Sequence, residues 1–221
     1  MSGRRIGCRI LPSNVRMASK DMKIGNGKTG RPISFNKDAA LEAAMLLFWE
    51  RGFEGASMAD LTQAMGLSPS SIYAAFGDKH ELFSRAVKRY MNIRAQYAAK
   101  ALEEPTLKKV IRALFDNTIA FLTTPGHPPT CMTLAGTAGC SVDAAPARDL
   151  MREIRKQNEV AMRERLLQAR KSGELSKDIN VDDYTRYLSS IIAGLSIQAA
   201  DGSTKAELKR TAQMALRHLG Y

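Results

Sequence analysis

Helix start and stop signals recur along this chain at short intervals, and no stretch alternates with the two-residue period of a half-buried strand. Asn36 is placed to cap a helix running to Arg51, with Leu41, Ala44, Met45, Phe48 and Trp49 on one apolar stripe and Gly52 closing it. Ser57-Met58-Ala59-Asp60 has capping-box spacing, with Asp in place of Glu, and opens a short helix carrying Leu61 and Met65. Gly66-Leu67 turns the chain. Ser68 caps the next helix, with Pro69 at its first position, where a missing N–H costs nothing. That helix carries Ile72, Tyr73 and Phe76 and ends at Gly77. Asp78 and Glu81 form another box, opening a long helix through Leu82, Phe83, Val87 and Tyr90. Beyond residue 103 the period stays helical through Leu122, stops at Pro125-Gly126-His127-Pro128-Pro129, and resumes from Pro146 to Gly173. Two more helices begin at Asn180 or Asp182 and at Thr204. The expectation is an all-α chain of about nine helices with no internal repeat.

Charge is unevenly distributed. The formal net charge is +11 over 221 residues. Residues 1–34 hold Arg4, Arg5, Arg9, Arg16, Lys20, Lys23, Lys28 and Arg31 against Asp21 alone, a balance of +7. A basic arm on a nearly neutral body suits a polyanion: nucleic acid, or an acidic membrane face. The same arm also reads as a solubilising tail. It lacks the 7–15-residue apolar run of a secretory signal, and no apolar stretch reaches the roughly 18 residues of a membrane span. Three cysteines do not make a disulfide framework. Residues 1–30 read as an arm, 31–80 as a small helical domain, and 81–221 as a larger one, in a cytoplasmic protein without membrane association.

The helices at 57–65 and 68–76, joined by a turn at Gly66, have the spacing of a helix-turn-helix. Leu61, Met65, Leu67 and Ile72 would lock the crossing angle, leaving the second helix to present its N-terminal residues to a major groove about 12 Å wide. The surrounding string makes this reading specific. Leu47-Phe48 with Arg51-Gly52-Phe53, then Ser57-Met58-Ala59-Asp60-Leu61, Ala64-Met65-Gly66-Leu67-Ser68, Ser71-Ile72-Tyr73 with Phe76, Asp78-Lys79 and Leu82-Phe83 resemble the amino-terminal domain of the TetR family of bacterial transcriptional repressors. The resemblance covers about 55 residues. More loosely, the segment around Cys131 and the stretch from Ile192 to Asp201 resemble the copper-outer-membrane branch of that family.

The resemblance implies roles for individual positions. Ser57 corresponds to a hydroxyl that binds phosphate at a helix start, and Tyr73 and Lys79 to side chains that reach the DNA backbone. Pro69, Ser70, Ser71, Ala74 and Ala75 occupy recognition-helix positions, and Lys28 and Arg31 belong to an arm that reaches backbone or minor groove. Two departures matter. Thr62 stands where the family has a small Ala. The recognition helix also has no Arg, Lys, Asn or Gln, so the bidentate base contacts worth about 1–3 kcal/mol each are missing from it. Specificity then leans on hydroxyls, methyl contacts and DNA shape.

The rest of the chain is expected to hold a small-molecule effector and to form a homodimer. Phe115, Phe121, Met132 and Leu134 are candidate pocket walls. Tyr187, Leu188, Ile191, Ile192, Leu195, Leu208, Ala212, Ala215 and Leu219 are candidates for the dimer seam. His127, Cys131 and Cys140 carry soft ligand atoms suited to Cu(I) or Zn, but they lack CxxC or HxxxH spacing, and core packing is the simpler reading, so no metal or cofactor is required. Enzyme chemistry finds no constellation: Glu103-Glu104 and Asp182-Asp183 point to different helix sides, and Gly25-Asn26-Gly27 precedes no strand–helix unit. The expected function is a non-enzymatic repressor, released from a palindromic double-stranded operator when its effector shifts the helix at 79–100. The alternative is a helical small-molecule or metal/thiol sensor with weak or no specific DNA binding. An arm-driven protein of the membrane surface is a third.

Overall fold

Side-chain caps set the limits of nearly every helix. In the computed structural model, which describes residues 35–134 and 141–219 (the side chains of 94–96, 98 and 99 apart), Asn36 Oδ1 accepts from the N–H groups of Asp38 and Ala39 at 3.0 and 3.1 Å and starts α1, Lys37–Gly55. Gly52 breaks its last turn at φ 71°. The Ser57–Asp60 capping box opens α2, Met58–Met65, and Ser68 caps α3, Pro69–Phe76. Asp78 and Glu81 exchange backbone and carboxylate hydrogen bonds at 3.1 and 2.9 Å to open α4, Lys79–Leu102. Thr106 caps α5, Leu107–Leu122. A 3₁₀ turn at Met132–Leu134 precedes α6, Ala145–Lys171; Asn180 caps α7, Val181–Ala200, and a Thr204–Glu207 box opens α8, Lys205–His218. Each such cap is worth about 1 kcal/mol. Among the described residues there is no strand, so the all-α expectation holds. Residues from Asn36 onward form one compact unit, and α4 runs across the boundary expected at residue 80.

The packing has two centres. Near the front, α1 lies against α4: Phe48 meets Phe83 edge-on at 5.0 Å and Trp49 meets Tyr90 edge-on at 4.8 Å. Such pairs add about 0.5–1.5 kcal/mol each beyond the area they bury. Arg89 of α4 reaches back to Glu42 of α1 at 2.5 Å. Leu61, Ile72 and Phe76 are buried and anchor α2 and α3. The second centre is built by α5, α6, α7 and α8 around Ile111, Phe115, Ile119, Leu166 and Leu188. Four residues expected at a dimer seam, Leu188, Leu195, Leu208 and Ala212, belong to this core. The correction has a simple cause: α7 and α8 are apolar on more than one side, and the side bearing these four residues is covered within their own chain.

Two glycines set the turns that hold α3. Gly66 sits at φ 63°, ψ 31°, the left-handed conformation that an L side chain reaches at a cost of about 1–2 kcal/mol. Gly77 sits at φ 83°, ψ −151°, a region essentially restricted to glycine. A Cβ at Gly77 would also fall 1.7 Å from Glu81 Oε2, the carboxylate that accepts from the Asp78 N–H, whereas one at Gly66 meets nothing within 4 Å. Gly66→Ala should therefore lower stability by about 1 kcal/mol. Gly77→Ala should cost more, about 2–3 kcal/mol, since it adds the loss of a cap to a strained backbone. Urea denaturation of the two variants checks both the values and their order.

Candidate functional site

The exposed side of α3 is short and polar at its start. Ile72 and Phe76 point inward, while Pro69, Ser70, Tyr73 and Ala74 face solvent, Tyr73 with 51% of its surface exposed. Ser71 and Ala75 are half-buried. The Ser68 hydroxyl lies 3.0 Å from that of Ser70 and 2.9 Å from that of Ser71, so three hydroxyls form a connected patch at the helix N-terminus, where backbone N–H groups also point out. At the other end, Arg85 of α4 donates to the Ala75 carbonyl at 3.4 Å. The Thr62 hydroxyl, where a small Ala was the expected residue, donates to Met58 O at 2.7 Å within its own helix.

A cluster of opposite charges flanks this face. Lys79 Nζ sits 4.5 Å above the Phe53 ring, which also contacts His80. Burial lowers the Lys79 pKa, and the carboxylates of Glu54 and Asp60 oppose that shift. Ser57 is exposed, but its hydroxyl is engaged: it donates to the Asp60 carboxylate and accepts from the Asp60 N–H. Arg51 pairs with the same carboxylate at 3.1 Å. Glu54 accepts from the Ser141 N–H at 3.0 Å and so joins the end of α1 to the segment leading into α6. Lys28, Arg31 and Cys140 lie outside the described residues.

A cavity of about 60 Å³ lies among α4, α5 and α7. Phe121 lines it, as the sequence suggested; Phe115 and Met132 are instead fully packed, and Leu134 is half-buried outside its wall. Residues missed by sequence reasoning include Tyr97, Asn117, Thr118 and Ser196, which come together only through the helix crossings. Cys131 also lines the cavity, its thiol 3.4 Å from the Tyr90 hydroxyl and 3.0 Å from the Thr133 hydroxyl. His127 stacks on Trp49 and Phe121 with ring centroids at 4.5 and 4.7 Å. Among the described residues, no group of three or more His, Cys, Asp or Glu side chains could hold a metal ion.

The outer sides of α7 and α8 carry apolar residues with no intrachain cover. Ile197 and Met214 expose 56% and 64% of their surface, and Tyr187 is exposed beside His218. Of the residues expected at a dimer seam, Tyr187, Ile191, Ala215 and Leu219 remain at least partly accessible. Ile192 is also partly accessible but lines the cavity.

Residues 40–86, which span the helix-turn-helix, match the model of bacterial regulatory proteins of the tetR family, and residues 107–215 match the tetracyclin repressor-like C-terminal domain. The chain belongs to the tetR family. Two relatives of this tetR-family protein in Escherichia coli K12 are the HTH-type transcriptional repressors ComR, 29% identical over 91% of this chain and 97% of ComR, and BdcR, 30% identical over 84% and 90%. Among solved structures, the TetR family regulator CifR, as a cysteine mutant complexed with 26-base-pair double-strand operator DNA, is 32% identical with a TM-score of 0.81, covering 85% of this chain and 98% of CifR. The likeness extends through both halves.

The Asp60 carboxyl has a pH signature. Its pKa is lowered from 3.8, first by the Ser57 hydroxyl and backbone hydrogen bonds and then by Arg51. A carboxyl lowered in the folded state contributes its stabilisation in full above the ordinary value and loses it as pH falls through the lowered one. The amides of the first turn of α2 should therefore lose hydrogen-exchange protection below pH 3.8, while Asp60→Asn, which removes the titrating group, should make that turn's protection independent of this step. An identical acid profile in the variant would refute the assignment.

Proposed function

We propose that this tetR-family protein is a transcriptional repressor that binds a palindromic operator as a pair of identical copies and leaves it when a small-molecule effector occupies the helical domain. The carrying observation is α3 itself: anchored from below by Ile72 and Phe76, it holds Ser70 and Tyr73 outward beside Lys79. An α-helix so presented fits the major groove. Support comes from the repressor names of ComR and BdcR and from the operator complex of CifR. The dimer surface is the outer side of α7 and α8, with Tyr187, Ile197 and Met214 at its apolar centre. A second copy there would set the two recognition helices about one DNA turn, roughly 34 Å, apart. The protein works on chromosomal DNA and therefore in the cytoplasm, needs no cofactor beyond its effector and performs no catalysis. No described helix is long and apolar enough to cross a membrane.

The direct test is an electrophoretic shift with DNA from the gene's own upstream region. Retardation by folded protein at low salt is the expected result; none would remove the repressor reading. Lys79→Met keeps the aliphatic packing on Phe53 and removes the charge. It should weaken binding about equally across sequences and reduce the salt slope by about one unit. Ile197→Asp should convert the dimer to monomer in sedimentation and abolish the operator shift without unfolding the chain, because Ile197 is exposed within the protomer.

A further inference from the structure

Every base pair shows the major groove a pattern of hydrogen-bond donors and acceptors, and A·T pairs add an apolar knob, the C5-methyl of thymine. The outer face of α3 is poorly equipped for the first and well equipped for the second. Ser70 and Ala74 lie about 40° apart around the helix, as do Pro69 and Tyr73, so these four exposed residues form two adjacent rows. None carries an amide, a guanidinium, an ammonium or a carboxylate, and Pro69, Ala74 and the Tyr73 ring offer carbon. The hydroxyls do not make up the difference. The contacts of Ser68 with Ser70 and with Ser71, at 3.0 and 2.9 Å, each take up one hydroxyl hydrogen, and the Ser68 oxygen also accepts from the Ser71 N–H at 3.2 Å. A rotatable hydroxyl accepts as readily as it donates, so it bonds to guanine O6 and to adenine N6 alike, and the Tyr73 phenol shares that ambivalence. The exposed amide of Gln63 is on α2, and the first helix of this motif crosses the DNA backbone.

We infer that α3 selects its operator through thymine methyl groups, with Pro69, Ala74 and the Tyr73 ring as the apolar surface that covers them. The inference rests on the operator complex of the proposed function and names the bases that complex selects. Short side chains suit the task. Apolar contact needs carbon atoms within about 4 Å, so the helix must approach the base edges closely, which Ala and Ser permit and long polar side chains would prevent. Burying one methyl is worth about a fourfold gain in affinity, against about 5- to 150-fold for a bidentate pair. The code is therefore weak at each position and acts through several thymines repeated in two half-sites.

The experiment measures binding of intact protein, by fluorescence anisotropy at fixed salt, to the fragment of upstream DNA that it protects in a footprint. Deoxyuridine replaces thymidine throughout that fragment. The exchange removes methyls from the major groove and leaves every hydrogen-bonding group and the whole minor groove unchanged, so an arm reading the minor groove does not respond to it. The expected loss is about fourfold per methyl in contact, or about 15-fold for one in each half-site. Single exchanges locate the contacted thymines. At those positions a G·C pair should bind weakly, and a G·5-methylcytosine pair, which restores the methyl, should recover about fourfold. These arms need no protein variant. Ala74→Ser and Pro69→Ser, both at exposed positions, are added with thermal unfolding as the check on folding; in at least one the penalty for deoxyuridine should shrink by about fourfold. Equal affinity for thymidine and deoxyuridine DNA would overturn the inference alone and leave the repressor reading standing. So would failure of 5-methylcytosine to recover binding, or a full deoxyuridine penalty in both folded variants. No complex with any DNA overturns the repressor reading and this inference with it.

Discussion

The packing of α1 on α4 governs where everything else can sit. Phe48 and Trp49 are adjacent in sequence but point to different neighbours. Phe48 enters an aromatic group with Phe53 and Phe83 beneath the helix-turn-helix, and Trp49 enters one with Tyr90, Phe121 and His127 beside the cavity. One turn of α1 thus belongs to both halves of the molecule. Close-packed interiors have few soft directions, so displacement of one ring cluster carries the other. The Arg89–Glu42 pair and the Glu54–Ser141 contact fix α1 at further points, and both are half-exposed or exposed, where pairs contribute little energy but restrict geometry.

The chemistry of α3 changes what this arrangement must deliver. With Ser, Ala and Tyr on its outer face and no bidentate base reader, the helix would, in the proposed operator complex, supply fit and phosphate contact rather than a strong base code. Discrimination among DNA sites would then depend on methyl contacts, on backbone shape and on the separation of two copies of α3. The Ser68–Ser70–Ser71 hydroxyls lie together at the start of α3, and the Lys79 ammonium is held on Phe53 instead of swinging freely. Ser57 shows the limit of carrying a role over by resemblance. The position matches, but its hydroxyl hydrogen is occupied by Asp60, so a phosphate arriving there would meet the free N–H groups of the α2 start first.

Helix limits were readable from sequence because a cap is a local event. Asn36, Ser57, Ser68, Asp78 and Thr204 each bond groups two or three residues away, and each does so in the structure. The helix-turn-helix was legible for the same reason. The cavity was not. Tyr97, Thr118 and Ser196 lie far apart in the chain, and only the crossing of α4, α5 and α7 makes them neighbours. Nor was the exposed apolar side of α7 and α8. On α7, Leu188 and Leu195 are buried within their own chain, while Tyr187, about 100° round the helix from Leu188, and Ile197, on nearly the opposite side, are exposed; an apolar pattern on both sides of a helix does not say which side its own chain will cover. Met214 carried no distinguishing signal among the many polar residues of α8.

These features bear on one another through geometry. A repressor with strong base contacts can tolerate small changes in half-site spacing, because each half retains most of its binding energy. One whose recognition helix lacks such contacts depends more steeply on the two halves being in register. Here the element bearing Trp49 joins the cavity-side stack to the aromatic group beneath the DNA-facing helices. A ligand able to bias that element by even a modest differential affinity would shift the population away from the spacing the duplex requires. A weak code at α3 and a rigid aromatic link through α1 are thus complementary: the less specificity resides in individual base contacts, the more control rests on the position of the helix that carries them.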